Sequence, residues 1–157
     1  MKPPEVSAAI DAPQRTVWSA LTRLSDRSRV LDDVRSVEFH TDDSFQVGAQ
    51  WREWRRATGR GRTETLTVIA VHEPVAYSVR AERHGLELTR TTELVALSPW
   101  RTQVTTRLML QPSRSQGRFR RMLMRLFGFV EARRLVKRAR VDLDDLARHI
   151  GGDQRER

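Results

Sequence analysis

The fold is decided by residues 62–110, which read RTETLTVIAVHEPVAYSVRAERHGLELTRTTELVALSPWRTQVTTRLML. Threonine and valine are frequent here, and apolar residues alternate with polar ones at the period of a strand. Pro74, Gly85 and Pro99 interrupt the alternation and mark turns. The segment therefore predicts four strands, and the short turns predict antiparallel pairing of each strand with the next. These strands are 62–72, 75–83, 86–97 and 101–110.

Upstream of this segment the period of two continues back to residue 34. Strands are predicted at 34–40 and 51–57, and a glycine-containing connection joins the second of them to the strand that follows. A short strand at 6–10 opens the chain. After that strand the apolar residues recur at helical spacing instead, which predicts helices at 13–24 and 26–31.

The last part of the chain, 115–150, predicts a long helix with two apolar stripes that are out of phase. The first stripe contains Phe119, Met122, Leu123, Leu126 and Val130. The second stripe, displaced by more than half a turn, contains Ala132, Val136, Ala139, Leu143, Leu146 and Ile150. Gly128 lies near the change of phase, and glycine inside a helix costs about 1 kcal/mol relative to alanine. We therefore expect a break or kink within 126–131, the second stripe packed on the sheet, and a disordered tail at 151–157.

The order of these elements is strand, two helices, six strands and a helix. Strands segregated from helices indicate an α+β protein with the helices on one face of an antiparallel sheet. We expect a curved sheet of about seven strands wrapped around the long C-terminal helix. The length of 157 residues fits one domain with one core, which we place at 1–150.

Composition excludes several classes of site. The chain has no cysteine, which excludes disulfides, thiolate metal sites and cysteine nucleophiles. Its four histidines lack metal-ligand spacing, and we interpret them as solvated loop residues. No P-loop, catalytic-serine or zinc-protease motif occurs, so we expect neither a metal nor a cofactor. Because no apolar run is long enough for a membrane span or a secretory signal, a cytoplasmic location is the default expectation.

One segment carries the whole net charge of +9. Residues 114–140 hold ten basic residues and one acidic one, whereas the rest of the chain has 19 of each and sums to zero. Five early arginines of this segment are interleaved with apolar residues and have no acidic neighbours in sequence. They are Arg114, Arg118, Arg120, Arg121 and Arg125. This basic surface is either the solvated face of a pocket lid or a surface that meets an anionic membrane or an acidic head group.

Four stretches of the chain resemble the START-like superfamily, which includes the polyketide cyclase/dehydrase-like and birch-pollen-allergen-like (SRPBCC) domains. In order they read VSAAIDAPQRTVWSALT, FQVGAQWREWRR, VIAVHEPVAYSVRAE and RLVKRARVDLDDLARHI. The resemblance spans about residues 5–150. It implies a helix-grip fold with a hydrophobic cavity between the concave face of the sheet and the final helix. Members of such families bind sterols, lipids, polyketides, plant hormones or quinones, and only some are enzymes.

Candidate ligand-binding residues follow from this implied cavity and from the apolar pattern. Trp51 and Trp54 are three residues apart on one strand, so they point to opposite sides and at most one lines the cavity. Tyr77 lies on an apolar strand face, where its hydroxyl could orient a ligand. Trp18 fits the core better than a ligand contact. The full set is Trp18, Leu31, Trp51, Trp54, Tyr77, Met122, Leu126, Phe127, Phe129 and Val130.

No catalytic residue is assigned from the sequence. Glu53, Arg55, Arg80 and Glu82 lie on predicted strands beside aromatic residues. A buried Arg–Glu pair could polarise a ligand carbonyl, as a cyclase would require, but exposed cross-strand pairs explain the same residues more simply. We therefore interpret these four as surface residues.

Three functional hypotheses remain open from the sequence. The first is a non-enzymatic carrier or sensor of a hydrophobic small molecule such as a lipid or polyketide. The second is a polyketide cyclase or dehydratase-like enzyme, which needs a titratable side chain in the cavity. The third is an interaction module whose basic helix meets an anionic membrane or an acidic partner. Nucleic acid is not the expected partner, and both a monomer and a dimer are compatible with the sequence.

Overall fold

The structure is a computed structural model and describes residues 2–56, 62–83, 86–113 and 117–155. At Arg83, 118–121 and 123–127 it describes the backbone and not the side chains. The predicted turns at 58–61 and 84–85 lie outside the described residues.

Within the described residues, seven strands and three α-helices occur in the predicted order, with small shifts at their ends. The first strand and the helices that follow it are β1 (Glu5–Ile10), α1 (Gln14–Thr22), a 3-10 turn (Leu24–Asp26) and α2 (Arg27–Val30). The remaining elements are β2 (Val34–Phe39), β3 (Gln50–Arg55), β4 (Arg62–His72), β5 (Ala76–Arg83), β6 (Leu86–Ser98), β7 (Arg101–Pro112) and α3 (Arg118–Arg155). The predicted α+β class is confirmed.

All seven strands form one antiparallel sheet in the order β1-β7-β6-β5-β4-β3-β2. The first strand pairs with the last, from Glu5 opposite Arg107 to Ile10 opposite Thr102. The N-terminal strand therefore forms one edge of the sheet, and β2 forms the other. The registers of three strand pairs shift at a bulge or irregularity, between β2 and β3, β4 and β5, and β6 and β7. Bulges bend a strand and increase its twist, which curves the sheet around α3.

The core lies between the concave face of the sheet and the C-terminal part of α3. The second apolar stripe of the helix is buried there as predicted, with Leu146 completely enclosed and Ala139, Leu143 and Ile150 nearly so. Val104 of β7 is also completely enclosed on the facing side. This packing brings α3 closest to β7 and β1, at one edge of the sheet, and leaves the space that forms the candidate site.

The predicted break within 126–131 is wrong, because α3 is one continuous helix through these residues. The penalty of about 1 kcal/mol for glycine is too small to break a helix that is anchored by packing further along. Gly128 lies 4.0 Å from the side chain of Leu110, measured from an ideal Cβ position. Since the helix is uninterrupted, the two stripes point in different directions, and it is the second that faces the sheet. Met122 and Val130 of the first stripe are therefore exposed.

The expected disordered tail at 151–157 also differs from the structure, which continues the helix through Gly151 and Gly152 to Arg155. The amide of the Gln154 side chain donates a hydrogen bond of 2.9 Å to the backbone carbonyl of Asp11. This contact, together with buried Ile150, holds the last turn against the domain.

Candidate functional site

A small cavity of about 40 Å³ lies between α1, α2, α3 and the concave face of the sheet. Fifteen residues from helices, strands and the β2–β3 loop form its wall. They are Ala20, Leu21, Arg27, Val30, Leu31, Phe45, Trp51, Tyr77, Val79, Arg90, Thr92, Thr106, Ala139, Asp142 and Leu143. The wall is therefore apolar over most of its extent and polar at Arg27, Arg90, Asp142 and the two threonines.

Three aromatic rings form the apolar side of this inner cavity. The ring of Tyr77 meets the edge of Phe45, with centroids 5.0 Å apart and planes at 82°. Phe45 also contacts Trp51, at 6.2 Å between centroids. Trp18 packs behind Tyr77 at 5.7 Å and is not in the cavity wall. Because aromatic pairs favour such edge-on and tilted contacts, the rings hold one another in place.

A buried carboxylate that accepts hydrogen bonds from three side chains lies beside the aromatic side of the cavity. Glu53 is fully buried and accepts a hydrogen bond of 2.9 Å from the indole of Trp51. Arg27 of α2 donates to the same oxygen, and Arg55 donates to the other oxygen at 3.1 Å. The guanidinium of Arg27 also lies over the Trp51 ring, 5.8 Å from its centroid. The carboxylate thus ties α2 to the sheet at the base of the cavity.

The cluster continues from Arg55 to the final helix. Arg55 is only 1% exposed, and its guanidinium reaches the carboxylate of Asp142 in α3 at 3.3 to 3.4 Å. Asp33, which precedes β2, lies 3.5 Å from the same guanidinium. Arg90 of β6 approaches Asp142 at 3.9 Å. The buried charge cluster, defined as Arg27, Glu53, Arg55, Arg90 and Asp142, therefore connects α2, the sheet and α3.

Electrostatics keep the central pair of this cluster ionised. Burial by itself raises the pKa of Glu53, but Arg27, Arg55 and the hydrogen bond from Trp51 outweigh it, so the pKa lies far below its ordinary range. Burial likewise opposes the charge on Arg55, whereas Asp142 and Glu53 raise its pKa above the ordinary value. Glu53 is consequently a fixed anion at neutral pH and does not exchange a proton with a ligand.

A larger, open cleft of about 680 Å³ lies next to the inner cavity, between α3 and the ends of β2, β3 and β4. Its wall contains five basic and three acidic side chains. The wall residues are Asp33, Arg56, Arg62, Glu131, Arg134, Leu135, Lys137, Arg138, Val141 and Asp142. Asp142 belongs to the walls of both spaces. Asp142, which is paired with Arg55, therefore lies at the boundary between the cleft and the inner cavity.

The structure separates the sequence-predicted ligand residues into two groups. Leu31, Trp51 and Tyr77 lie in the wall of the inner cavity, and Trp18 is in the core behind it. Trp54 is 44% exposed on the outer side of the sheet, since it is three residues from Trp51 on the same strand. Only one of the two tryptophans faces the cavity, in keeping with the limit set by the alternation of side chains.

The candidates from the first half of α3 do not line the cavity where their side chains are described. Met122, Phe129 and Val130 are all more than half exposed, because the unbroken helix turns the side that carries them away from the sheet. The side chains of Leu126 and Phe127 lie outside the described part of the structure. The same holds for the predicted basic residues Arg118, Arg120, Arg121 and Arg125, and Arg114 is outside the described residues altogether.

The interpretation of Glu53 and Arg55 as surface residues is wrong, since both are buried in the charge cluster. One signal in the sequence points to this. Trp51, Glu53 and Arg55 alternate along β3 and so share one face, and the apolar ring of Trp51 would place that face inward. Arg27, Arg90 and Asp142 gave no such signal, because their burial depends on segments that are distant in sequence.

Two classes of site are absent from the described part of the chain. No group of three or more histidine, aspartate or glutamate residues among the described positions could hold a metal ion. No helix in the described ranges is long and apolar enough to cross a membrane.

No protein-family model matches the sequence, and no curated protein is significantly similar to it. Solved structures, however, match over almost the whole chain. The di-domain ARO/CYC BexL from the BE-7585A biosynthetic pathway superposes with a TM-score of 0.74 at 16% identity, covering 96% of this chain and 47% of BexL. This chain thus spans about half the length of that protein.

Two further structures match over nearly their full length. The ZhuI aromatase/cyclase from Streptomyces sp. R1128 has a TM-score of 0.69 at 17% identity, covering 98% of this chain and 94% of its own. A START superfamily protein from Mycobacterium smegmatis has a TM-score of 0.60 at 14% identity, covering 91% and 99%. Similarity at this level of identity establishes the fold and not the activity. The chain therefore has the START-like helix-grip fold that its sequence resembles.

Proposed function

We propose that the protein binds a small hydrophobic molecule with one polar end in the inner cavity. The observation that carries this proposal is the division of the cavity wall into an apolar side and a polar end. Phe45, Trp51 and Tyr77 offer ring faces and edges to an apolar body. Arg90 and Thr92 offer hydrogen-bond donors to a carbonyl, hydroxyl or carboxylate. Sites for small molecules typically combine a mostly apolar wall with a few such polar groups.

The size of the inner cavity indicates that binding must widen it. A volume of about 40 Å³ has room for little more than a water molecule or two. Ligand sites commonly measure about 300 to 1,000 Å³. The adjoining cleft of about 680 Å³ is large enough and shares the wall residue Asp142 with the inner cavity. We infer that the ligand enters from the cleft and that α3 shifts at Asp142 to join the two spaces.

A carrier or sensor fits this cavity better than a cyclase does. General acid–base chemistry needs a group that exchanges a proton near neutral pH. Glu53 is held as an anion by two arginines, and the cavity wall contains no histidine. Two of the structures with the same fold are nevertheless described as ARO/CYC or aromatase/cyclase proteins, so ring-forming precursors belong among the compounds to be tested.

The variant Ala139→Leu should strongly weaken ligand binding, because Ala139 lies in the cavity wall and three added carbons fill the remaining space. The wild-type protein should bind a hydrophobic fluorescent probe such as anilinonaphthalene sulfonate saturably, and native mass spectrometry should detect a copurified small molecule. Ala139→Leu should weaken probe binding about tenfold or more, since the ligand loses the apolar contacts that drive binding.

The matched control is Ala132→Leu, which makes the same change on the same helix at a residue outside both cavity walls. It should bind the probe as the wild type does. Equal probe binding by both variants, with both folded by circular dichroism, would show that the inner cavity is not the binding site.

A further inference from the structure

We propose that the exposed side of α3 docks the protein onto an anionic lipid surface. The outer face of α3 is defined here as the exposed residues Met122, Phe129, Val130, Arg133, Arg134, Lys137, Arg140 and Val141. This proposal does not depend on the ligand in the cavity. It rests on a surface that the fold leaves uncovered.

Apolar side chains on this face are exposed to an unusual degree. Phe129 is 63% exposed and Met122 is 58% exposed, and Val130 and Val141 are also well exposed. At 100° per residue, the members of the outer face fall within a sector of less than half a turn. The opposite side of the helix carries buried Leu135, so most of the outer face points away from the sheet, while Arg134, Lys137 and Val141 border the cleft. Met122, Phe129 and Val130 form an apolar patch near one end of this face, Val141 lies about three turns further along, and no part of the described structure covers them.

Cations share the sector of these apolar side chains and occupy the turns between Val130 and Val141. Arg133, Arg134, Lys137 and Arg140 are all exposed, and Arg133 lies over the Phe129 ring, 4.6 Å from its centroid. Within 122–141 the only acidic residue is Glu131, which lies at the side of the helix with 19% of its side chain exposed, and the next acid in this sector is the exposed Asp144, one turn after Arg140. The outer face is therefore both apolar and strongly positive.

Charge decides which partner fits this face. A second copy of the chain would bring four like charges against four others, which opposes self-association. A nucleic acid would satisfy the cations but would leave Met122, Phe129 and Val130 without apolar contacts. An interface of anionic head groups over acyl chains satisfies both, as for other helices that lie flat in a bilayer surface.

The test compares binding of the full chain to vesicles of phosphatidylcholine alone and of phosphatidylcholine and phosphatidylserine in equal parts. Cosedimentation should detect binding to the anionic vesicles only, and added salt should weaken it. Arg133→Glu/Lys137→Glu should lower the affinity about tenfold or more, because two attractive charges become repulsive. Phe129→Ser should weaken binding as well, and this loss should persist at a salt concentration where charges are screened.

The matched control is Arg35→Glu/Arg80→Glu, which makes the same change in net charge at two exposed strand residues far from this helix in sequence. It should bind anionic vesicles nearly as the wild type does. Equal losses from the two double variants would overturn the proposal, since they would indicate a response to net charge alone. Binding to duplex DNA but not to anionic vesicles would overturn it too, as would salt-dependent binding that Phe129→Ser leaves unchanged.

Discussion

Glu53→Gln should lower the free energy of unfolding by about 3 to 5 kcal/mol, the range observed when one partner of a buried ion pair is removed. Glu53 is fully buried and is the only acid within ion-pair distance of Arg27 among the described residues. Glutamine has nearly the same shape but no charge, so the buried guanidinium of Arg27 loses its counter-charge. Arg55 retains Asp142 and is affected less. Urea denaturation of both proteins, followed by circular dichroism, measures the difference.

The control for this change is Glu38→Gln on β2, where the carboxylate is exposed. Surface substitutions of this kind usually change stability by less than about 0.5 kcal/mol. If Glu53→Gln were as mild as Glu38→Gln, the buried charge cluster described above would not exist in the folded protein.

The same carboxylate makes stability depend on pH in a defined direction. Because Arg27 and Arg55 outweigh burial, the pKa of Glu53 in the folded state lies below its ordinary value of 4.5. Below pH 4.5 the unfolded chain therefore binds a proton that the folded chain does not. The free energy of unfolding consequently decreases as the pH is lowered. The difference in unfolding free energy between wild type and Glu53→Gln should be largest at neutral pH and should decrease under acidic conditions. A difference that stays constant down to acidic pH would contradict this assignment.

Leu146→Ala should have the second large effect, with a loss of about 2 to 5 kcal/mol in the free energy of unfolding. Leu146 projects from α3 and is completely enclosed in the core, so its truncation removes apolar contacts and leaves a void. Thermal and urea denaturation measure the loss. The result tests whether the final helix is an integral part of the domain.

Val141→Ala is the matched control, because Val141 lies on the same helix but is 43% exposed on the outer face. It should cost well under 1 kcal/mol, since little apolar area is lost from the core. Similar small losses from both variants would mean that α3 does not pack on the sheet, and the inner cavity would then have no wall on that side.

The two proposals assign different roles to the two parts of α3. Its C-terminal part carries Ala139 and Asp142, which face the cavity, and its N-terminal part carries Phe129, which faces outward. The cleft beside the cavity is partly lined by Arg134 and Lys137 of the outer face. A membrane contact at this face would therefore lie beside the proposed entrance for an apolar ligand.

Local pattern was sufficient to predict the secondary structure and the fold class. The alternation in 62–110 and the turns at Pro74 and Pro99 predicted β4 to β7 and their antiparallel pairing, because both depend on neighbours within a few residues. The opposite directions of Trp51 and Trp54 followed from strand geometry in the same way. The second apolar stripe of the last helix was also correctly identified as its packing face, but the change of phase before it was interpreted as a break or kink.

By itself, the sequence determined the order of the elements, the antiparallel sheet and the amphipathic surface that packs the last helix. Only the tertiary structure decided which charged groups pair with Glu53 and Arg55, because Arg27 and Asp142 reach them from segments 26 and 87 residues away in the chain. It also decided that α3 stays unbroken, since packing of its C-terminal half outweighs the cost of one glycine and forces Phe129 into solvent. The alternation along β3 indicates that Glu53 and Arg55 share the inward face of Trp51, but their charged partners and the direction of the helix are set by contacts between distant segments.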